Sequence, residues 1–79
     1  MQHNRSQNDI IADILKAALD GASKTKILYQ AFMSFNHLTK EYLPLLLAND
    51  MLEYNAEGQT YRATKKGKEF LDAYEQLRL

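Results

Sequence analysis

The sequence predicts a small α+β domain, mainly helical, in which three helices are followed by a β-hairpin and a closing helix. Two features carry that prediction. Apolar residues recur at helical spacing from Ile10 to Ala31 and from Leu38 to Leu46, and after Asn49-Asp50 the period drops to two until a helical stripe resumes beyond Thr64. Length sets the scale: 79 residues make one domain with a modest core and no room for a second.

Residues 1–7 are polar and lack a period, so a flexible N-terminal segment is expected there, with residues 8–79 as the single domain. In the first helix Ile10, Ile11, Ile14, Leu15, Ala18 and Leu19 form the inner stripe, opposite Asp9, Asp13, Lys16 and Asp20. Asn8 is the expected cap, Asp9 suits the positive end of the helix dipole, and Gly21 offers a left-handed stop. Ser23 caps a short second helix running to about Phe32, with Ile27, Leu28 and Ala31 inward and Lys24 and Gln30 outward. Met33-Ser34 then breaks the run, and Ser34 caps a third helix. Two short helices joined by so tight a turn make a helix-turn-helix.

The third helix changes character along its length. Its start is polar, with Asn36, His37 and Lys40, and its rear is a run of leucines, Leu43 and Leu45 to Leu47, that calls for burial. Leu38, Tyr42, Leu45 and Leu46 fall on one face, with Asn36, Lys40, Leu43 and Leu47 on the opposite row. Pro44 lacks an amide hydrogen and its ring clashes with the carbonyl four residues back, at about 3 kcal/mol in a regular helix. Either the helix bends there or its first turn begins later, near Thr39.

Leu52 and Tyr54 alternate with Glu53 and Asn55, and Tyr61 and Ala63 with Thr60 and Arg62, around a turn at residues 56–59 where Gly58 suits the left-handed position. Two strands this short need the helices to lie against. Thr64 caps the last helix, whose stripe is Phe70, Leu71, Tyr74 and Leu77. Met33 and Met51 read as core filler. The five tyrosines, Tyr29, Tyr42, Tyr54, Tyr61 and Tyr74, could form a stacking platform for single strands, but their spacing on apolar faces reads as core.

Composition excludes several functions. There are no cysteines, so neither disulfides nor thiolate zinc sites are available. His3 and His37 have no carboxylate at ligand spacing, no nucleophile sits in a catalytic motif, and the three glycines form no phosphate loop, so neither metal, cofactor nor enzymatic activity is expected. The longest apolar run, Leu45 to Ala48, is far too short to span a membrane, and a cytoplasmic protein is the expectation. Net charge is zero, but between Gly58 and Lys68 Arg62, Lys65, Lys66 and Lys68 occur without an acid, a local basic patch or simply a solvated helix start.

The order helix, helix, helix, hairpin, helix is that of the winged helix-turn-helix. The stretch from Gly21 to Tyr29 (GASKTKILY), Leu38 to Leu43 (LTKEYL), the hairpin with Tyr61, and Thr64 to Leu71 (TKKGKEFL) resemble the matching parts of small archaeal winged-helix regulators. That family includes a chromatin-associated protein of Sulfolobus that dimerises through a long C-terminal coiled coil. The likeness spans residues 9–77, with one extra residue between Met33 and Leu38 and no long coiled coil before Leu79. It implies a DNA-binding, nucleoid-associated protein. A major-groove reading head needs a slim polar helix start, and Asn36, His37, Thr39 and Lys40 are the candidate base contacts. Lys24, Lys26, Arg62, Lys65 and Lys66 are the candidate phosphate contacts, and Phe70, Tyr74 and Leu77 a candidate homodimer stripe. The alternative is a protein-interaction module on the same scaffold, with an exposed apolar patch on the last helix, which the neutral net charge favours.

Overall fold

A computed structural model describes residues 5–77. Its elements follow the expected order: α1 (Gln7–Ala17), α2 (Lys24–Ala31), a third helix in three consecutive parts, β1 (Leu52–Asn55), β2 (Thr60–Ala63) and α5 (Lys65–Leu77). The parts of the third helix are α3 (Phe35–His37), a π-helical turn (Leu38–Tyr42) and α4 (Leu43–Ala48). Ile14, Leu15, Ile27, Leu38, Leu46 and Leu52 are fully buried, so every element except β2 and α5 gives the centre a large aliphatic side chain. Ala63 and Leu71 close the core from those two.

The start of α1 differs from expectation. Ser6, not Asn8, is the cap: its hydroxyl accepts from the Asp9 amide while the Asp9 carboxylate accepts from the Ser6 amide, a reciprocal box. Ser6 and Gln7, expected within the N-terminal segment, form the capped start of this helix. Arg5 is tied down too, donating to Asp13 and to the carbonyls of Ala31 and Phe32, which joins α1 to the end of α2. Residues 1–4 lie outside the described part of the chain, as do residues 78 and 79. Helix α1 ends at Ala17, and Gly21 takes its positive φ of 94° three residues after the cap residue Ala18. Beyond it Ala22 exchanges both backbone hydrogen bonds with Tyr61 at 2.8 Å, adding a one-residue bridge to the hairpin.

Pro44 does not delay the start of the third helix, which begins at Phe35 behind the Ser34 cap. The Leu43 amide reaches back five residues to the Leu38 carbonyl, so the helix widens by one residue immediately before the proline. A wider turn relieves the clash that the pyrrolidine ring makes with the carbonyl four residues back in a regular helix. The widening changes which side chains face inward. Leu43, expected opposite Leu38, is buried with it, while Leu45 is half-buried and Leu47 is exposed.

β1 and β2 pair antiparallel with Tyr54 opposite Tyr61 and Glu53 opposite Arg62. The left-handed residue of the loop is Gln59 (φ 55°) and not Gly58; Asn55 Oδ1 accepts from the Glu57 amide and turns the chain earlier than a glycine-centred loop would. Thr64 caps α5, accepting from the Gly67 amide and donating to the Asp50 carbonyl. Gly67 is required by close approach: a Cβ there would overlap the Met51 carbonyl oxygen.

Candidate nucleic-acid interface

The front of the third helix is presented as its sequence suggests. Ser34 caps it through the His37 amide at 3.1 Å, and Asn36, His37 and Lys40 are all exposed. Thr39 stands apart from these three. It is half-buried, and its hydroxyl donates to the Phe35 carbonyl at 2.8 Å, closing the backbone at the entrance to the π turn. Glu41, which the sequence reading passed over, lies on the same surface, with its carboxylate 3.6 Å from His37 Nε2. This carboxylate places a negative charge and a hydrogen-bond acceptor among the otherwise neutral or basic side chains of the helix front.

Lys24 is brought to this surface. Its ammonium lies 5.6 Å from the centre of the Phe35 ring, linking the start of α2 to the start of α3. Together with Ser23, Thr25, Tyr54, Gln59 and Tyr61 these two residues line a pocket of about 300 Å3 between α2, the third helix and the wing. Lys26 is exposed one residue beyond Thr25 on α2, and its amide is held by the Ser23 hydroxyl. The remaining cations are placed differently. Arg62 pairs across the hairpin with Glu53, and its guanidinium lies close to Gly21, at the α1–α2 connection. Strand alternation puts it on the face opposite Tyr61 and hence away from the Lys24 pocket. Lys65 lines the open cleft between α1 and α5 with Lys16, Leu19 and Lys68, and Lys66 is exposed beside it. The five expected phosphate contacts are therefore spread over more than one surface.

Exposure of the aromatic side chains departs most from expectation. Only Tyr42 is buried; Tyr61 and Tyr74 are half-buried, and Tyr29 and Tyr54 are 73% and 49% exposed. Phe35 is 57% exposed as well. Tyr54 shares a strand face with buried Leu52 but stands two residues closer to the wing tip, past the cover of the helices. The rings of Tyr54 and Tyr61 pack at 4.9 Å. Burial raises the Tyr61 phenol above the usual tyrosine value, and the neighbouring Tyr54 adds to the shift.

The expected dimer stripe turns largely inward. Phe70 and Tyr74 stack on each other and pack against the core, and the Tyr74 hydroxyl donates to Asp9 of α1. Leu77 is 87% exposed. Among the described residues no three metal-ligating side chains converge, and no helix is long and apolar enough to cross a membrane; His3 lies outside those residues.

Three helices, a two-stranded wing and a bridge from the α1–α2 connection define a winged helix-turn-helix, an architecture that engages nucleic acid or protein through its third helix and wing. The chain belongs to the winged helix-turn-helix family, whose profile matches residues 4–79. Among solved structures it is similar to Sso10a-2, a DNA-binding protein from Sulfolobus solfataricus, at 25% identity and a TM-score of 0.81, over 92% of this chain and 78% of that one. No protein of curated function matches it at significant similarity.

Proposed function

We propose that this protein is a DNA-binding transcriptional regulator or chromatin-associated protein that lays the front of its third helix in the major groove of duplex DNA. The observation that carries the reading is the exposed group Asn36, His37 and Lys40 on the first turns of that helix, beside Lys24, in a chain with the fold of an archaeal DNA-binding protein. Asn36 and Lys40 have the donors that purine edges accept, and Thr39 acts by shaping the helix more than by touching a base. Lys24 and Lys26 hold phosphates from α2, while Arg62, Lys65 and Lys66 reach the flanking backbone from the wing and α5. Such a protein works in the cytoplasm on the nucleoid.

The test is titration of duplex DNA at several salt concentrations. Four or five phosphate contacts give a log–log slope of about −4. Lys40→Ala should weaken binding about 5- to 150-fold, the equivalent of about 1–3 kcal/mol. Absent binding at low salt, a flat slope or an inert Lys40→Ala overturns the proposal. A homodimer through α5 now rests chiefly on Leu77, and sedimentation of Leu77→Ser against the parent tests it: equal masses exclude that contact.

A second reading, a protein-docking module, draws support from the end of α2. Tyr29 and Phe32, with Leu28 and Met33, line an open groove there, and Phe32 is 83% exposed. This apolar surface is on α2, whereas the sequence suggested the last helix. A partner bound through it would be lost on Phe32→Ser with duplex binding intact; retention excludes this face.

A further inference from the structure

Apart from Lys24, the pocket between α2, the third helix and the wing is lined by side chains that the duplex proposal leaves unused. From its aromatic walls and its cation we infer that it takes an unpaired nucleobase of a DNA strand, stacked against Phe35 or Tyr54, with the adjoining phosphate at Lys24. The inference rests on this face being a DNA-binding surface, but not on the third helix entering a groove.

Four observations support it. Phe35 and Tyr54 are large aromatic residues left about half exposed on a small domain whose aliphatic residues are largely internal. They converge on one pocket from separate elements, Phe35 from the third helix and Tyr54 from β1. The pocket volume of about 300 Å3 is at the small end for ligand sites, suited to a single planar group and not to a helix. The polar groups at its edge are Ser23, Thr25 and Gln59, with Lys24 held over the Phe35 ring. Gln59 adds an amide able to donate to and accept from a base edge. Stacking on aromatic rings beside a cation is how single strands are held without dependence on sequence, since every base has a π-face.

Tyr61 gives the platform its rigidity. Its ring packs on Tyr54, and both of its backbone polar groups are bonded to Ala22, so the hairpin holds Tyr54 in place against the body. A base stacking on Tyr54 therefore meets a ring already ordered. That reduces the entropy lost on binding.

The test compares a thymidine oligonucleotide of about fifteen nucleotides, within the usual span of a single-strand site, with a mixed-sequence duplex of the same length. Both are titrated against the full chain by fluorescence anisotropy at low salt. Tyr54→Leu and Phe35→Leu keep apolar bulk and remove the π-face, and circular dichroism establishes that each folds. We expect each to weaken oligothymidine binding about 5- to 150-fold, the equivalent of about 1–3 kcal/mol per stacked base, while duplex affinity changes less than about threefold. An oligonucleotide carrying 2-aminopurine should lose fluorescence on binding to the parent and keep it with Tyr54→Leu, as removal of the stacking surface requires. No oligothymidine binding by the parent overturns the inference, as does an equal loss for single strand and duplex. Single-strand binding without duplex binding supports it and overturns the groove-docking proposal instead. Duplex binding alone does the reverse.

Discussion

Gly67→Ala is a sharp test of how the last helix is seated. In an isolated helix the change would be favourable by about 1 kcal/mol, because glycine is the poorer helix former. Here the added Cβ would overlap the Met51 carbonyl oxygen and stand 3.2 Å from Leu15 Cδ2. The carbonyl has little freedom to yield, since it accepts from the Thr64 amide at 3.0 Å, and Thr64 is the residue that caps α5. Overpacking of this kind costs about 1–3 kcal/mol, and disturbing the Met51–Thr64 bond adds about 0.5–1.5 kcal/mol. Set against the propensity gain, the net loss is about 2 kcal/mol, or about 8–16 °C in Tm for a domain of this size. Gly58→Ala is the control: its Cβ meets Thr60 at 3.5 Å and Asn55 Nδ2 at 3.9 Å, both ordinary contacts, and its effect should stay within about 0.5 kcal/mol. Thermal unfolding followed by circular dichroism measures both. A Gly67→Ala protein as stable as the parent would refute the close-approach argument.

Two further predictions concern stability. Arg5→Ala removes the tie from Asp13 to the Ala31 and Phe32 carbonyls, and because these groups are partly exposed the loss should be about 1 kcal/mol by denaturant titration; a change below the error of the titration would show that the Arg5 tie adds nothing to the fold. Tyr61 fixes the alkaline limit. Its phenol loses its proton at higher pH in the folded chain than the usual 10.0, through burial and then through Tyr54, so above that value the unfolded chain ionises first and stability falls as pH rises towards the folded value. Denaturation midpoints across that window should decline in the parent and decline less in Tyr61→Phe; identical profiles would refute the assignment.

Capping chemistry was readable wherever one candidate stood alone: Ser23, Ser34 and Thr64 each cap the helix that follows. At α1 two candidates competed, and Ser6 with Asp9 three residues on was the better pair because each side chain serves the other's amide. The helix-turn-helix and wing were legible from period alone, since their apolar faces must be covered. The π turn was not. Pro44 signalled a conflict that more than one local geometry resolves, and the wide turn is seen only in the backbone bond from the Leu43 amide to the Leu38 carbonyl. Candidate contacts on the third helix were legible as polar residues at a capped start. The positions of Arg62 and Lys65 were not, because strand face and helix azimuth depend on how the wing and α5 lean on α1. Tyr54 shows the same limit: strand alternation assigns it a face, but only the reach of the neighbouring helices decides whether that face is covered.

The wide turn at Leu38–Tyr42 has a consequence for how this scaffold can diversify. One residue corresponds to about 100° of helical rotation. A single deletion between Asn36 and Glu41 that restored a regular turn would swing the capped front around the helix axis relative to Leu43 and Leu46, and would shift buried Leu38 as well. The exposed front of the third helix and its buried rear are thus joined by a coupling whose length sets the azimuth of one relative to the other.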